Sequence, residues 1–185
     1  MMTIKKLSIV FSILFLCGCA NTNMNPTPVR NAKPLLIAPV AKIEVVDRVG
    51  LDLENEQEIS DIKFSILEMV DASMRASGGD GVMLFTIKDI SFSKGLSQKS
   101  SSGLTSIMDK PDLKYAASVE IILEYKQKTD ERKFASAVSI TASSNRELKG
   151  NYSKSDERVA LSEMKHEIAD IIYSKLSTHY RKMLS

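Results

Sequence analysis

The sequence predicts an α/β (α+β) two-layer sandwich: a mixed four-stranded sheet with two helices on one face, in the order β-α-β-β-β-α. Three observations carry this. Residues 55–77 and 156–183 place apolar side chains at helical spacing on one stripe only. Four shorter segments alternate, or run apolar, at strand spacing. The first helical segment lies between the first two strands and is long enough for a crossover, so those strands can pair in parallel, whereas the last two are joined as a hairpin.

The expected first strand is residues 35–47, split by Pro39, with 41–47 as its regular part. The first helix spans 55–77, opened by Asn55 and Glu58 as a capping pair. Its stripe is Ile59, Ile62, Ile66, Leu67, Met69, Val70 and Met74, with Phe64 off it, and Gly78 is the expected left-handed cap. Residues 82–92 form the second strand, apolar enough to be central. Residues 93–112, rich in Ser, Gly and Lys, read as a flexible loop. In the third strand, 115–125, Ala117, Val119, Ile121 and Leu123 point inward, and Ser118, Glu120 and Glu124 outward. After a charged loop at 126–133 the fourth strand, 134–142, turns Val138 and Ile140 inward and Ala137, Ser139 and Thr141 outward. The second helix opens with Ser155 as N-cap and Asp156 and Glu157 at the positive end of the dipole. Its stripe is Leu161, Met164, Ile168, Ile171, Ile172, Leu176 and Met183.

Ahead of this domain, 35–185, stand a signal and a tether. Lys5 and Lys6 precede an apolar run at 7–16, and Leu16-Cys17-Gly18-Cys19 closes it before a polar stretch. That is the layout of a secretory signal, and the run is shorter than the roughly 20 residues of a membrane span. It resembles bacterial lipoprotein signals, with Leu16 at −3, Gly18 at −1 and Cys19 at +1. The resemblance implies that 1–18 is removed and that Cys19 carries a diacylglyceryl thioether and an N-acyl chain, fixing the protein to the membrane with more than one chain. Ala20 in place of the aspartate of inner-membrane lipoproteins implies the outer membrane, facing the periplasm. Residues 19–34, rich in Asn and Pro, form the tether.

Cys17 and Cys19 are the only cysteines, so a chain processed at Cys19 has no disulfide and is held by its core. Removing Lys5 and Lys6 with the signal leaves 23 basic and 23 acidic residues, which gives no global field for nucleic acid. With no tryptophan and 6% aromatic residues, the sequence also lacks a carbohydrate or base-stacking platform.

The sequence carries no catalytic signature. His166 and His179 are roughly 20 Å apart along one helix, too far to share a metal. S-x-x-K occurs three times but without its S-D-N and K-T-G companions, and there is no G-x-S-x-G. The glycine-rich 77–81 follows a helix instead of opening one, which makes it a turn and not a phosphate loop. Glu120 and Glu124 stand about 13 Å apart on one strand, beyond the spacing of a glycosidase pair. No cofactor, metal or nucleic acid is expected.

The lipobox, the tether and the element order together resemble small proteobacterial outer-membrane lipoproteins of the YajG and LptE type. That resemblance implies a non-enzymatic envelope protein that binds another envelope protein in outer-membrane assembly or maintenance. The alternative is a carrier of a lipid or other apolar ligand, which needs a cavity between helices and sheet. The expected docking face is the uncovered side of the sheet, with Lys88, Glu120, Glu124, Ser139 and Thr141. The plainer reading is the solvated side of an antiparallel sheet.

Overall fold

Along the computed structural model the elements run β1 (Leu36–Ala38), β2 (Lys42–Asp47), α1 (Glu56–Ser73), β3 (Met74–Ala76), β4 (Val82–Ser97), β5 (Asp112–Lys126), β6 (Phe134–Leu148) and α2 (Lys154–Leu184). The structure describes residues 33–50, 52–97, 111–126 and 134–184. The fold is the α+β sandwich expected, with a four-stranded mixed sheet in the order β2-β4-β5-β6 and an additional two-stranded parallel pair, β1-β3.

That extra pair belongs to a bent ribbon. β1 and β2 are one extended run broken at residues 39–41, and β3 and β4 another broken at 77–81. They pair in parallel on both sides of the corner, Leu36↔Met74 to Ala38↔Ala76 and then Lys42↔Val82 to Asp47↔Ile87. The longer outer corner is tied to the inner one: Ser77 donates to the Ala38 carbonyl through its N–H (2.9 Å) and its hydroxyl (3.1 Å), and Ala41 N–H donates to Gly81 O (2.9 Å). Gly79 at φ +148° passes so close to the Pro39 carbonyl that a Cβ would stand 2.7 Å from its oxygen, so the corner admits glycine alone.

The expected helix 55–77 is therefore corrected. α1 ends at Ser73 because β1 offers Met74–Ala76 a strand partner, and Met74 is already extended (φ −119°, ψ 135°). Gly78, at φ +85°, turns the chain after β3 and does not cap the helix. The Asn55–Glu58 capping pair does not form: Asn55 makes no side-chain cap bond. Its Nδ2 donates instead to Asp52 Oδ2 (3.0 Å), and Asp52 Oδ1 accepts from Glu54 N–H (3.0 Å). α2 is capped by Ser153, not Ser155. Ser153 Oγ accepts from Asp156 N–H (3.2 Å), and Asp156 Oδ2 accepts from Ser153 N–H (2.8 Å), a reciprocal box that draws the Asp156 carboxyl below its usual range.

The strands are longer than expected. β4 runs on through Ser97, and β5 begins at Asp112, so both ends of the expected loop 93–112 are strand. Its residues 98–110, and 127–133 of the charged loop, lie outside the described residues. β6 continues six residues past Ala142. There Ala142 and Ser144 are small enough to sit buried against α2, where Ser144 Oγ donates to Glu167 Oε2 (2.6 Å) and the Arg146 guanidinium pairs with the same carboxylate (2.8 Å).

β4 contains a bulge between Ile87 and Asp89. Its apolar residues fall at 83, 85, 87 and then 90 and 92, so the alternation slips by one residue. The bulge absorbs the slip, leaving Met83, Phe85, Ile87, Ile90 and Phe92 all buried on one side. From β5, Ala117, Val119, Ile121 and Leu123 join them. α1 adds Ile59, Ile62, Ile66, Met69 and Val70, and α2 adds Met164, Ile168, Ile172 and Leu176, all in one continuous core. Phe64 is 61% exposed, as its place off the stripe requires.

Candidate docking face

The sheet face turned away from the helices carries the five residues expected on it. Lys88 is the residue that the β4 bulge adds without a ladder partner, and this lets its long side chain lie across the neighbouring strand. Its Nζ stands 2.9 Å from Glu120 Oε1 on β5. Ser139 on β6 donates to the same oxygen at 3.3 Å. The Lys88 ammonium first, and the Ser139 hydroxyl after it, hold the Glu120 carboxyl below the usual carboxylate range. Thr141 lies directly opposite Glu120 in the β5–β6 register. Glu124 is apart from this group, between Leu84 on β4 and Ala137 on β6. Next along the face, Ser91 and Ser118 share a hydroxyl–hydroxyl bond of 2.8 Å. The outcome is a three-strand polar cluster at Lys88, Glu120 and Ser139, flanked by small hydroxylated residues.

Thr86, which alternation also places on this face, is 4% exposed and so is no part of the accessible surface. Its neighbours in the ladder are Val46 and Ile122, both larger and half-buried.

Two features outside this face were not foreseen from the sequence. Tyr115, 2% exposed, donates from its hydroxyl to Glu157 Oε2 (2.7 Å), and Lys94 pairs with the same atom (3.2 Å). Burial and the adjacent Glu157 push the Tyr115 phenol up, while Tyr115 and then Lys94 hold Glu157 down. The alternation of β5 and the acidic first turn of α2 supplied the two halves separately. Their meeting depends on how far along the sheet α2 lies.

The second feature is a cleft of about 250 Å³ between α1 and α2. It falls short of the several hundred Å³ of ordinary small-molecule pockets. The centre of the helix–sheet interface is filled by side chains such as Phe85, Ile121 and Ile168, each 0% exposed, and an open cleft of about 410 Å³ lies at its edge between β2 and α1, lined by Ile43, Val45, Leu67 and Val70. Among the described residues no cluster of three His, Cys, Asp or Glu is placed to hold a metal, and no helix is long and apolar enough to cross a membrane. Cys19 lies outside the described residues.

No family model matches the chain, and no curated protein matches it. Solved structures do. A minor lipoprotein from Acinetobacter baumannii is 8% identical, with 75% of this chain and 92% of that one covered at a TM-score of 0.45. The rare lipoprotein B from Shewanella oneidensis is 11% identical, with 78% and 99% covered at a TM-score of 0.46. Both neighbours are small bacterial lipoproteins, and at such identities and TM-scores the likeness assigns this chain neither family, partner nor activity.

Proposed function

We propose that the chain is a non-enzymatic envelope lipoprotein, anchored in the outer membrane by acyl chains on Cys19 and facing the periplasm, that docks another envelope protein on its open sheet face. The observation that carries the anchoring is Leu16-Cys17-Gly18-Cys19 at the end of an apolar run too short to span a bilayer. Support for docking comes from the open face: its polar groups stand on regular strands, and Lys88 and Glu120 hold each other in a defined geometry. Rigidly placed charge favours the choice of partner and the rate of encounter more than raw affinity.

The anchor is tested by intact mass. The mature protein should begin at Cys19 with added acyl mass, and Cys19→Ala should release it from the membrane fraction. An unmodified Cys19 inside a longer chain ends that reading. Docking is tested by cross-linking in native envelopes. Glu120→Lys with Glu124→Lys, in a protein verified as folded, should lose the partners that the unaltered chain recovers. Recovery at equal yield would remove this face as the interface.

A further inference from the structure

The cleft between α1 and α2 has walls of opposite charge. α1 contributes Glu58 and Asp61, one turn apart, and α2 contributes Arg158, Ser162 and Lys165. The floor between them is apolar, made of Ile62, Leu161, Met164 and Phe92, and Phe92 reaches it from β4 because the bulge turns that side chain toward the helices. One ion pair crosses the mouth, Lys165 to Asp61, at 3.9 Å, well beyond the 2.7–2.9 Å of a charge-assisted hydrogen bond. Arg158 has no hydrogen bond or ion pair among the described residues, although it borders this cleft. Asp61 Oδ1 accepts from Gln57 Nε2 on its own helix (2.8 Å), but across the cleft these charges are loosely committed to each other, unlike Lys63–Asp47 (2.8 Å).

From this geometry we propose that the cleft binds an ammonium–phosphate zwitterion, the chemistry of phosphoethanolamine. A simple anion drawn to Arg158 and Lys165 meets Glu58 and Asp61 across the cleft, and a simple cation meets the reverse. A molecule carrying both charges on a short spacer satisfies both walls. Arg158, Ser162 and Lys165 present donors to more than two oxygens, which suits a phosphate better than a carboxylate. The spacer lies over the apolar floor. At about 250 Å³ and open to solvent, the cleft is of a size to take a headgroup, with any attached acyl chain left outside it. The inference rests on neither the Cys19 anchor nor the docking face.

The same chemistry is offered by free phosphoethanolamine and by the headgroup of a zwitterionic phospholipid, and the experiment separates them. Isotopically labelled whole chain is titrated with O-phosphoethanolamine, inorganic phosphate, ethanolamine, and a short-chain diacyl phosphatidylethanolamine kept monomeric. The amide signals of Ile62, Phe92 and Ser162 report on the cleft. The expected result is saturable shifts with phosphoethanolamine at concentrations about tenfold below those needed for either half alone, since a charged hydrogen bond contributes about that factor. Tighter binding of the diacyl compound assigns the site to lipid, and equal or weaker binding assigns it to the free molecule. Asp61→Lys with Lys165→Asp keeps a pair across the mouth while swapping its walls. It should leave the fold intact and abolish the shifts. Equal response to phosphate alone, absence of shifts in the unaltered chain, or retained binding by the folded swap variant would each overturn the proposal.

Discussion

On β5, Ile121 is fully buried under the helices, while Glu120, one residue before it, reaches over the opposite face to Lys88. The same contrast repeats along the strand, with Val119 at 2% exposure beside an exposed Ser118. Both faces share one backbone and one hydrogen-bond ladder. Parity along the strand decides which residues build the core and which are free to do something else. On the helix side a side chain is held by shape on all sides. On the open side it is held by one or two polar contacts, so its identity matters little to stability and can answer to function.

The largest effect expected is a test of parity itself. Deleting Thr86 forces either Met83 and Phe85 onto the wrong face or, if the bulge closes to spare them, turns Ile87 outward and drives Lys88 into the core in its place. Urea unfolding of that variant should lose its cooperative transition. Deleting Lys88 should not, because the bulge already carries one residue too many and the shortened strand, Phe-Thr-Ile-Asp-Ile-Ser-Phe, alternates without interruption. A non-cooperative Lys88 deletion would show that the bulge is required for packing and not merely tolerated.

Next comes the core. Phe85→Ala should cost about 3–5 kcal/mol by chemical denaturation, as a buried phenylalanine does when the cavity cannot collapse. Smaller is Tyr115→Phe, which removes the hydroxyl from Glu157 and should cost about 1 kcal/mol. Its sharper signature is electrostatic: the Glu157 carboxyl should titrate higher in carbon-detected NMR. The pH dependence follows from the direction of the shifts. Glu157, held down by Tyr115 and Lys94, and Asp47, held down by Lys63, are lower in the folded chain than in the unfolded one. Their stabilisation is present above the unfolded carboxylate range, near pH 4, and is lost as pH falls through the folded values. Stability should therefore decline on acidification below about pH 4, and less steeply in Tyr115→Phe. Least of all, Ser118→Ala on the open face should shift stability by under about 0.5 kcal/mol. A larger loss would mean that the face helps to hold the sheet together.

The sequence made this contrast readable where alternation was uninterrupted. Ala117 to Leu123 could be assigned to a face directly, and Ile59 to Val70 gave the covering helix. What escaped reading was long-range. Met74 lies on the helical stripe and continues it by periodicity, but pairing with Leu36 overrides local preference. The corner glycines read as an end to the helix because nothing local reveals that Pro39 will pass beside Gly79. The bulge did leave a trace, the step from Ile87 to Ile90, and so did the cap, since Ser153 has Asp156 three residues on and Ser155 has none. Parity along each strand puts Lys88, Glu120, Glu124, Ser139 and Thr141 on the open face, but the bonding of Lys88, Glu120 and Ser139 depends on a register across three strands that no single strand encodes.

The bent parallel ribbon also bears on the order in which the protein folds. β4, β5 and β6 follow one another in the chain and pair as neighbours, so their contacts close comparatively short loops. β2 meets β4 only across the whole of α1, with Lys42 and Val82 40 positions apart in the chain. Loop closure of that length is slow to be rewarded, because its entropy is lost before any distant pairing forms. The meander should thus assemble first and present the free edge of β4, with β1 and β2 docking last although they are made first. Hydrogen-exchange labelling during refolding would show protection of Ile121 and Ile140 ahead of Val45.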